Sequence, residues 1–164
     1  MTKLRRLGID VGGVIIDKAN DGTDTSFLSD NFLMTTAIDQ ALKTITLLSR
    51  EKFGPKNVFI VSKCGKKVEE KTRTWLKHRG FHAMTGVSED QLHFCKERSG
   101  KAPISASLGI THFVDDKLEV LGYLTGIVDV RFLFRPEERE VLRHSGFLQG
   151  VTRVTSWEEI YKAV

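Results

Sequence analysis

Residues 7–17 read LGIDVGGVIID. An apolar run reaches Asp10, the pair Gly12–Gly13 interrupts it, and apolar residues resume up to Asp17. This is the length and composition of a buried strand that stops at glycine. A carboxylate at such a strand end costs free energy unless a backbone donor, a cation or a substrate pairs with it. Asp10 is therefore expected to belong to a site.

Two further apolar runs end in the same way. NVFIVSKCG, residues 57–65, closes on Ser62, and ITHFVDD, residues 110–116, closes on Asp115 and Asp116. Any one of these residues alone reads as an ordinary cap of the following helix. All three together suggest a site, because converging carboxylates repel and a hard cation such as Mg²⁺ compensates them.

The segments between these runs have helical patterning. Residues 35–51 carry apolar side chains at Ile38, Ala41, Leu42, Ile45 and Leu48, the spacing of a helix. Residues 67–79 form a second amphipathic segment around Val68, Thr72, Trp75 and Leu76, stopped by Gly80. QLHFC (91–95) reads as a short strand, PISASLG (103–109) as a short helix and VDVRFLF (128–134) as a strand. PEEREVLRHSG (136–146) reads as a helix, and residues 151–164 as a last strand and helix. Residues 18–31 are polar and turn-rich, a loop or flap. Strands alternating with helices predict one α/β domain over residues 1–164. Its sheet is mainly parallel, doubly wound and covered on both faces, and ligands bind beyond the carboxyl ends of the strands.

Composition narrows the classes. The 164 residues are 40% hydrophobic and 28% charged, ordinary for a globular chain. A formal charge of +4 and an isoelectric point near 9.1 favour anionic ligands but fall short of a nucleic-acid-binding balance. The charge-rich stretch RPEEREVLRH (135–144) mixes signs and reads as a solvated helix face. No stretch approaches the apolar length of a membrane span. Two cysteines make no disulfide framework, and the basic start of the chain reads as the approach to a strand, so a cytoplasmic protein is expected. Cys64 reads as a half-buried filler that could line the site, and Trp75 and Trp157 read as core. His78, His82 and His93 read as surface or packing residues.

In order and spacing, four segments resemble the motifs of the haloacid dehalogenase-like superfamily, most of whose members are Mg²⁺-dependent phosphatases. LGIDVGGVIID is similar to its first motif, VFIVS to the second, GKAP to the third and THFVDD to the fourth. The resemblance implies a Rossmann-like three-layer core and hydrolysis of a phosphate monoester through an aspartyl-phosphate at Asp10. It implies Mg²⁺ held by Asp10, the Gly12 carbonyl and Asp115, with Asp116 in support. It also implies phosphoryl oxygens bound by Ser62, Lys63 and Lys101, with Lys96 as the rival for the lysine role.

Two departures matter. Most phosphatases of the superfamily carry a second aspartate two residues after the nucleophile, as proton donor to the leaving group, and here that residue is Gly12. Asp17, Asp21, Asp24 and His112 are candidate substitutes. There is also no room for a sizeable cap, and an open site in this superfamily favours macromolecular substrates or closure by a second subunit in a homo-oligomer. The expected ligand is a phosphorylated small molecule or macromolecule. The alternative is a weakly active or inactive relative that binds a phosphorylated ligand or a protein.

Overall fold

Six short, largely apolar segments, most of them rich in β-branched and aromatic residues, pair as one parallel sheet. The computed structural model describes residues 3–18 and 29–164. The strands are β1 (Leu7–Ile9), β2 (Val58–Lys63), β3 (Leu92–Cys95), β4 (His112–Asp115), β5 (Val130–Phe134) and β6 (Val151–Val154). Their order is β3-β2-β1-β4-β5-β6, with every neighbouring pair parallel. Parallel neighbours need crossovers, and helices supply them. These are α1 (Ala41–Leu47), α2 (Lys66–His78), α3 (Phe81–Thr85), α4 (Lys101–Leu108), α5 (Leu118–Tyr123), α6 (Glu138–Arg143) and α7 (Trp157–Ala163). The fold is thus the expected Rossmann-like α/β sheet with helices on both faces, and the described residues form no large cap.

Strand alternation divides the core in two. Leu7, Ile9, Val58 and Ile60 pack with Ile45, Trp75, Phe81, Trp157 and Ile160 on one face. Phe59, Val61, Phe113 and Leu133 pack with Leu118, Leu121 and Val141 on the other. Trp75 and Trp157 are fully buried, as expected. Their indole N–H groups donate to the Thr35 and Val14 carbonyls at 3.0 and 2.9 Å, tying the chain around β1 to the helices.

The helix expected over 35–51 starts later. Residues 36–38 instead run beside the segment after β1. Asp17 N–H donates to the Thr36 carbonyl and Ile38 N–H to the Ile15 carbonyl, at 2.9 and 2.8 Å. Helix begins only at Ala41 and continues as a π-helical turn over Leu48–Phe53. Ile38 is still buried, so the apolar spacing was satisfied by a different backbone. α3 and α5 have no counterpart in the sequence reading, both being too short to show a period. Among the described residues no helix is long and apolar enough to cross a membrane.

His112 opens β4, opposite Leu7, at the amino-terminal edge of the sheet. It is buried, edge-on to the Phe53 ring, and burial with the nearby Arg5 charge pulls its pKa down to about 4. The unfolded chain, with an ordinary histidine pKa near 6.5, takes up the proton first on acidification. Stability is therefore expected to fall by about 2 kcal/mol between pH 7 and pH 5 on account of this residue. Urea unfolding at the two pH values should show that extra loss in wild type and not in His112→Gln. An equal loss in both would remove the assignment.

Candidate active site

β1 and β4 are neighbours, yet β2 and β3 intervene in the chain, so the strand order reverses at this point. Helices leave a reversal point in opposite directions, and a crevice opens beyond the strand ends. Asp10 directly follows β1 there, its N–H donating to the Val114 carbonyl at 3.0 Å. Asp115 closes β4 and Asp116 follows it. Lys101 is the first residue of α4 and only 2% exposed. Its Nζ lies 2.8 Å from Asp10 Oδ1 and 2.7 Å from Asp115 Oδ2. The second Asp115 oxygen accepts the Lys117 N–H at 2.9 Å, and Asp116 pairs with Lys18.

These residues form a tightly coupled charge cluster. Burial raises the Asp115 pKa to about 6, and the Asp10 charge adds to the effect. Burial also raises that of Asp10, against the pull of Lys101. For Lys101, burial acts the other way, but the two carboxylates outweigh it and hold the ammonium charged. Two buried carboxylates thus flank one buried ammonium, with a third, paired with Lys18, beside them, and a further cation would relieve the remaining repulsion. One carboxylate oxygen from each of Asp10, Asp115 and Asp116 lies within 4.8 Å of the other two. An all-oxygen donor set of that size fits a hard divalent cation such as Mg²⁺.

A cavity of about 130 Å³ opens over the cluster, lined by Asp10, Lys63, Arg98, Lys101, Asp115, Asp116, Lys117 and Val120. Lys96 is exposed and does not line it, so of the two rival lysines the fold brings Lys101 to the carboxylates. Ser62 is buried at the same end of the sheet but does not line the cavity. It falls on the same face of β2 as Val58 and Ile60, opposite Val61, and Lys63 lines the cavity instead. Cys64 is half-buried and outside the lining, its thiol pushed up to about 11 mainly by burial. Among the candidate proton donors, His112 sits at the far edge of the sheet and Asp17 is exposed outside the cavity lining. Asp21 and Asp24 lie outside the described residues. Arg98, Lys117 and Lys18 were missed by sequence reading. Each lies within three residues of a quoted motif, but exposed basic residues are too common to single out.

The paired glycines have different reasons to be glycine. Gly13 has φ +78°, and a Cβ there would lie 2.8 Å from both Asp116 Oδ2 and Lys18 Cε. Gly12 is exposed, has no positive φ, and a Cβ would meet nothing within 4 Å. Among the described residues the Gly12 carbonyl accepts no hydrogen bond.

No protein-family model matches the chain, and no curated protein matches it significantly. Solved structures do. D,D-heptose 1,7-bisphosphate phosphatase from B. bronchiseptica, complexed with magnesium and phosphate, aligns with a TM-score of 0.69 at 14% identity over 97% of each chain. The phosphatase of the same name from Burkholderia thailandensis gives 0.63 at 14% identity, again over 97% of each. A haloacid dehalogenase-like hydrolase from Burkholderia xenovorans gives 0.56 at 15% identity, over 77% of this chain and 58% of that one. At such identities the likeness is one of architecture, and the chain has the α/β fold of these haloacid dehalogenase-like hydrolases.

Proposed function

We propose that this protein is a Mg²⁺-dependent phosphate-monoester hydrolase acting through an aspartyl-phosphate at Asp10. The observation that carries the reading is the buried Lys101 ammonium between Asp10 and Asp115, with Asp116 beside them at the reversal point of the sheet. Such a cluster is costly to bury and is expected where charged chemistry needs it. The magnesium and phosphate in the B. bronchiseptica phosphatase of the same fold are consistent with this reading.

Asp10, Asp115, Asp116 and the Gly12 carbonyl would hold the metal. Mg²⁺ would supply charge neutralisation between the attacking carboxylate and the phosphoryl oxygens. Lys101 holds Asp10 in place and offsets negative charge as the phosphoryl group approaches. Lys63, Arg98 and Lys117 on the cavity wall bind phosphoryl oxygens, with Ser62 behind them in support. An Asp10 oxygen attacks phosphorus, and the bond from phosphorus to the ester oxygen breaks. With no side chain at position 12, the departing oxygen takes its proton from water. A second water then attacks phosphorus as its proton passes to the hydroxide left by the first, and the bond from phosphorus to the Asp10 oxygen breaks, releasing phosphate and restoring Asp10. The expected substrate is a phosphorylated small molecule, the class to which the heptose bisphosphate of the two neighbours belongs.

The absence of a side chain at Gly12 favours a second reading, a protein that binds phosphorylated ligands without turning them over. Hydrolysis of p-nitrophenyl phosphate separates the two. The proposal expects turnover that requires Mg²⁺ and disappears in EDTA. Metal-independent turnover, or none at all, would refute it.

A further inference from the structure

Arg98 and Lys117 line two cavities at once. One is the cleft over Asp10, and the other, of about 230 Å³, is bounded further by Glu137, Arg139, Glu140 and Arg143. The two spaces therefore adjoin. Four cations face the second cavity against two carboxylates, and those carboxylates are not equivalent. Glu140 is buried, and its two oxygens accept the Leu118 and Glu119 N–H groups at 2.7 and 3.0 Å, so its charge is met by the start of α5. Only Glu137 faces the space unmet. Arg139 and Arg143 are exposed and form no ion pair among the described residues. Arg98 is fixed between the cavities by Glu119, with Nη1 2.6 Å from Oε2.

The neighbour on the other side differs. That cavity, of about 220 Å³, sets Lys63 and Arg98 against Glu97 and Glu119, and its charges balance. An anion extending from the cleft is favoured in one direction only. The charge-rich stretch 135–144, whose alternating signs read as a solvated face, sets two of its arginines on the wall of this adjoining cavity.

We propose that this second cavity is an anion subsite, and that the protein's substrate carries a second phosphate, bound by Arg139 and Arg143 while the first lies over Asp10. Resting on the hydrolase reading above, it adds a substrate class: bisphosphorylated small molecules. Two guanidinium groups suit a phosphate because each offers paired donors to its oxygens. A second charged anchor also turns the binding of one end into an intramolecular gain for the other.

The test uses the full chain in Mg²⁺, with linear alkanediol bisphosphates of three to six carbons and the matching alkyl monophosphates as ligands. Affinities are measured by calorimetry for wild type, for Arg139→Ala/Arg143→Ala, and for Lys43→Ala/Lys56→Ala. The last variant removes the same net charge from exposed positions outside both cavities. At least one bisphosphate is expected to bind wild type tenfold or more tightly than its monophosphate. The arginine variant should lose that advantage while its monophosphate affinity stays within twofold, and the lysine variant should keep it. The proposal is overturned if no bisphosphate is preferred, if the arginine variant retains the preference, or if both double variants weaken all ligands alike. Turnover is read separately. A bisphosphate preference that depends on the arginines, without Mg²⁺-dependent hydrolysis, would retain the subsite and remove the hydrolase.

Discussion

Asp10→Asn is expected to lower Mg²⁺-dependent hydrolysis of p-nitrophenyl phosphate by about 10⁴-fold or more, because it removes the nucleophile itself. The fold should survive. Asp10 is buried, and burial already disfavours its charged form. An amide keeps the shape and can still accept the Lys101 ammonium, so thermal unfolding at pH 7 is expected at or above the wild-type temperature. The two measurements must be made on the same preparation. A folded Asp10→Asn protein with the wild-type rate would show that the observed turnover does not pass through this carboxylate. The aspartyl-phosphate at Asp10 would then be withdrawn.

Gly12→Asp is expected to act in the opposite direction. Position 12 is open and free of the positive φ that would penalise a side chain. A positioned acid contributes roughly 10²–10⁴-fold when the leaving group needs a proton. Phosphates of simple alcohols should gain about 10²-fold in kcat/KM, whereas p-nitrophenyl phosphate, whose leaving group departs without a proton, should change little. In wild type the aryl ester is correspondingly expected to be much the better substrate. An unchanged ratio between the two esters in a folded variant would show that proton transfer at this position does not limit the reaction. The adjacent glycine is no substitute for this experiment. A side chain at Gly13 would strain the backbone and collide with the Asp116–Lys18 pair.

Much of the architecture was legible because parallel strands are buried on both faces and therefore appear as continuous apolar runs. The runs ending at Asp10, Ser62 and Asp115 are β1, β2 and β4 with their carboxyl ends, and α2 begins one residue from its expected start. The segment 35–40 shows the limit of periodicity. Ile38 has helical spacing relative to Ala41 and Ile45, but its N–H donates to the Ile15 carbonyl in a strand-like segment while its carbonyl accepts the Ala41 N–H, and it is buried without being helical.

The sequence by itself determined the alternation of strands and helices and the strand ends that carry Asp10, Asp115 and Asp116. Both follow from backbone period and from the cost of an apolar run ending in a carboxylate, and these are local properties. Only the tertiary structure decided between Lys96 and Lys101, five residues apart in one basic stretch. α4 begins at Lys101, and its packing carries that ammonium out of water to two carboxylates 91 and 14 residues away. Only the tertiary structure separated the roles of Gly12 and Gly13, set Lys63 rather than Ser62 on the cavity wall, and brought Arg98, Lys117, Arg139 and Arg143 around one space. The reason is common to all of them. Whether a charged side chain is desolvated, and by which partner it is met, depends on contacts between segments distant in the chain, and local patterning does not encode those distances.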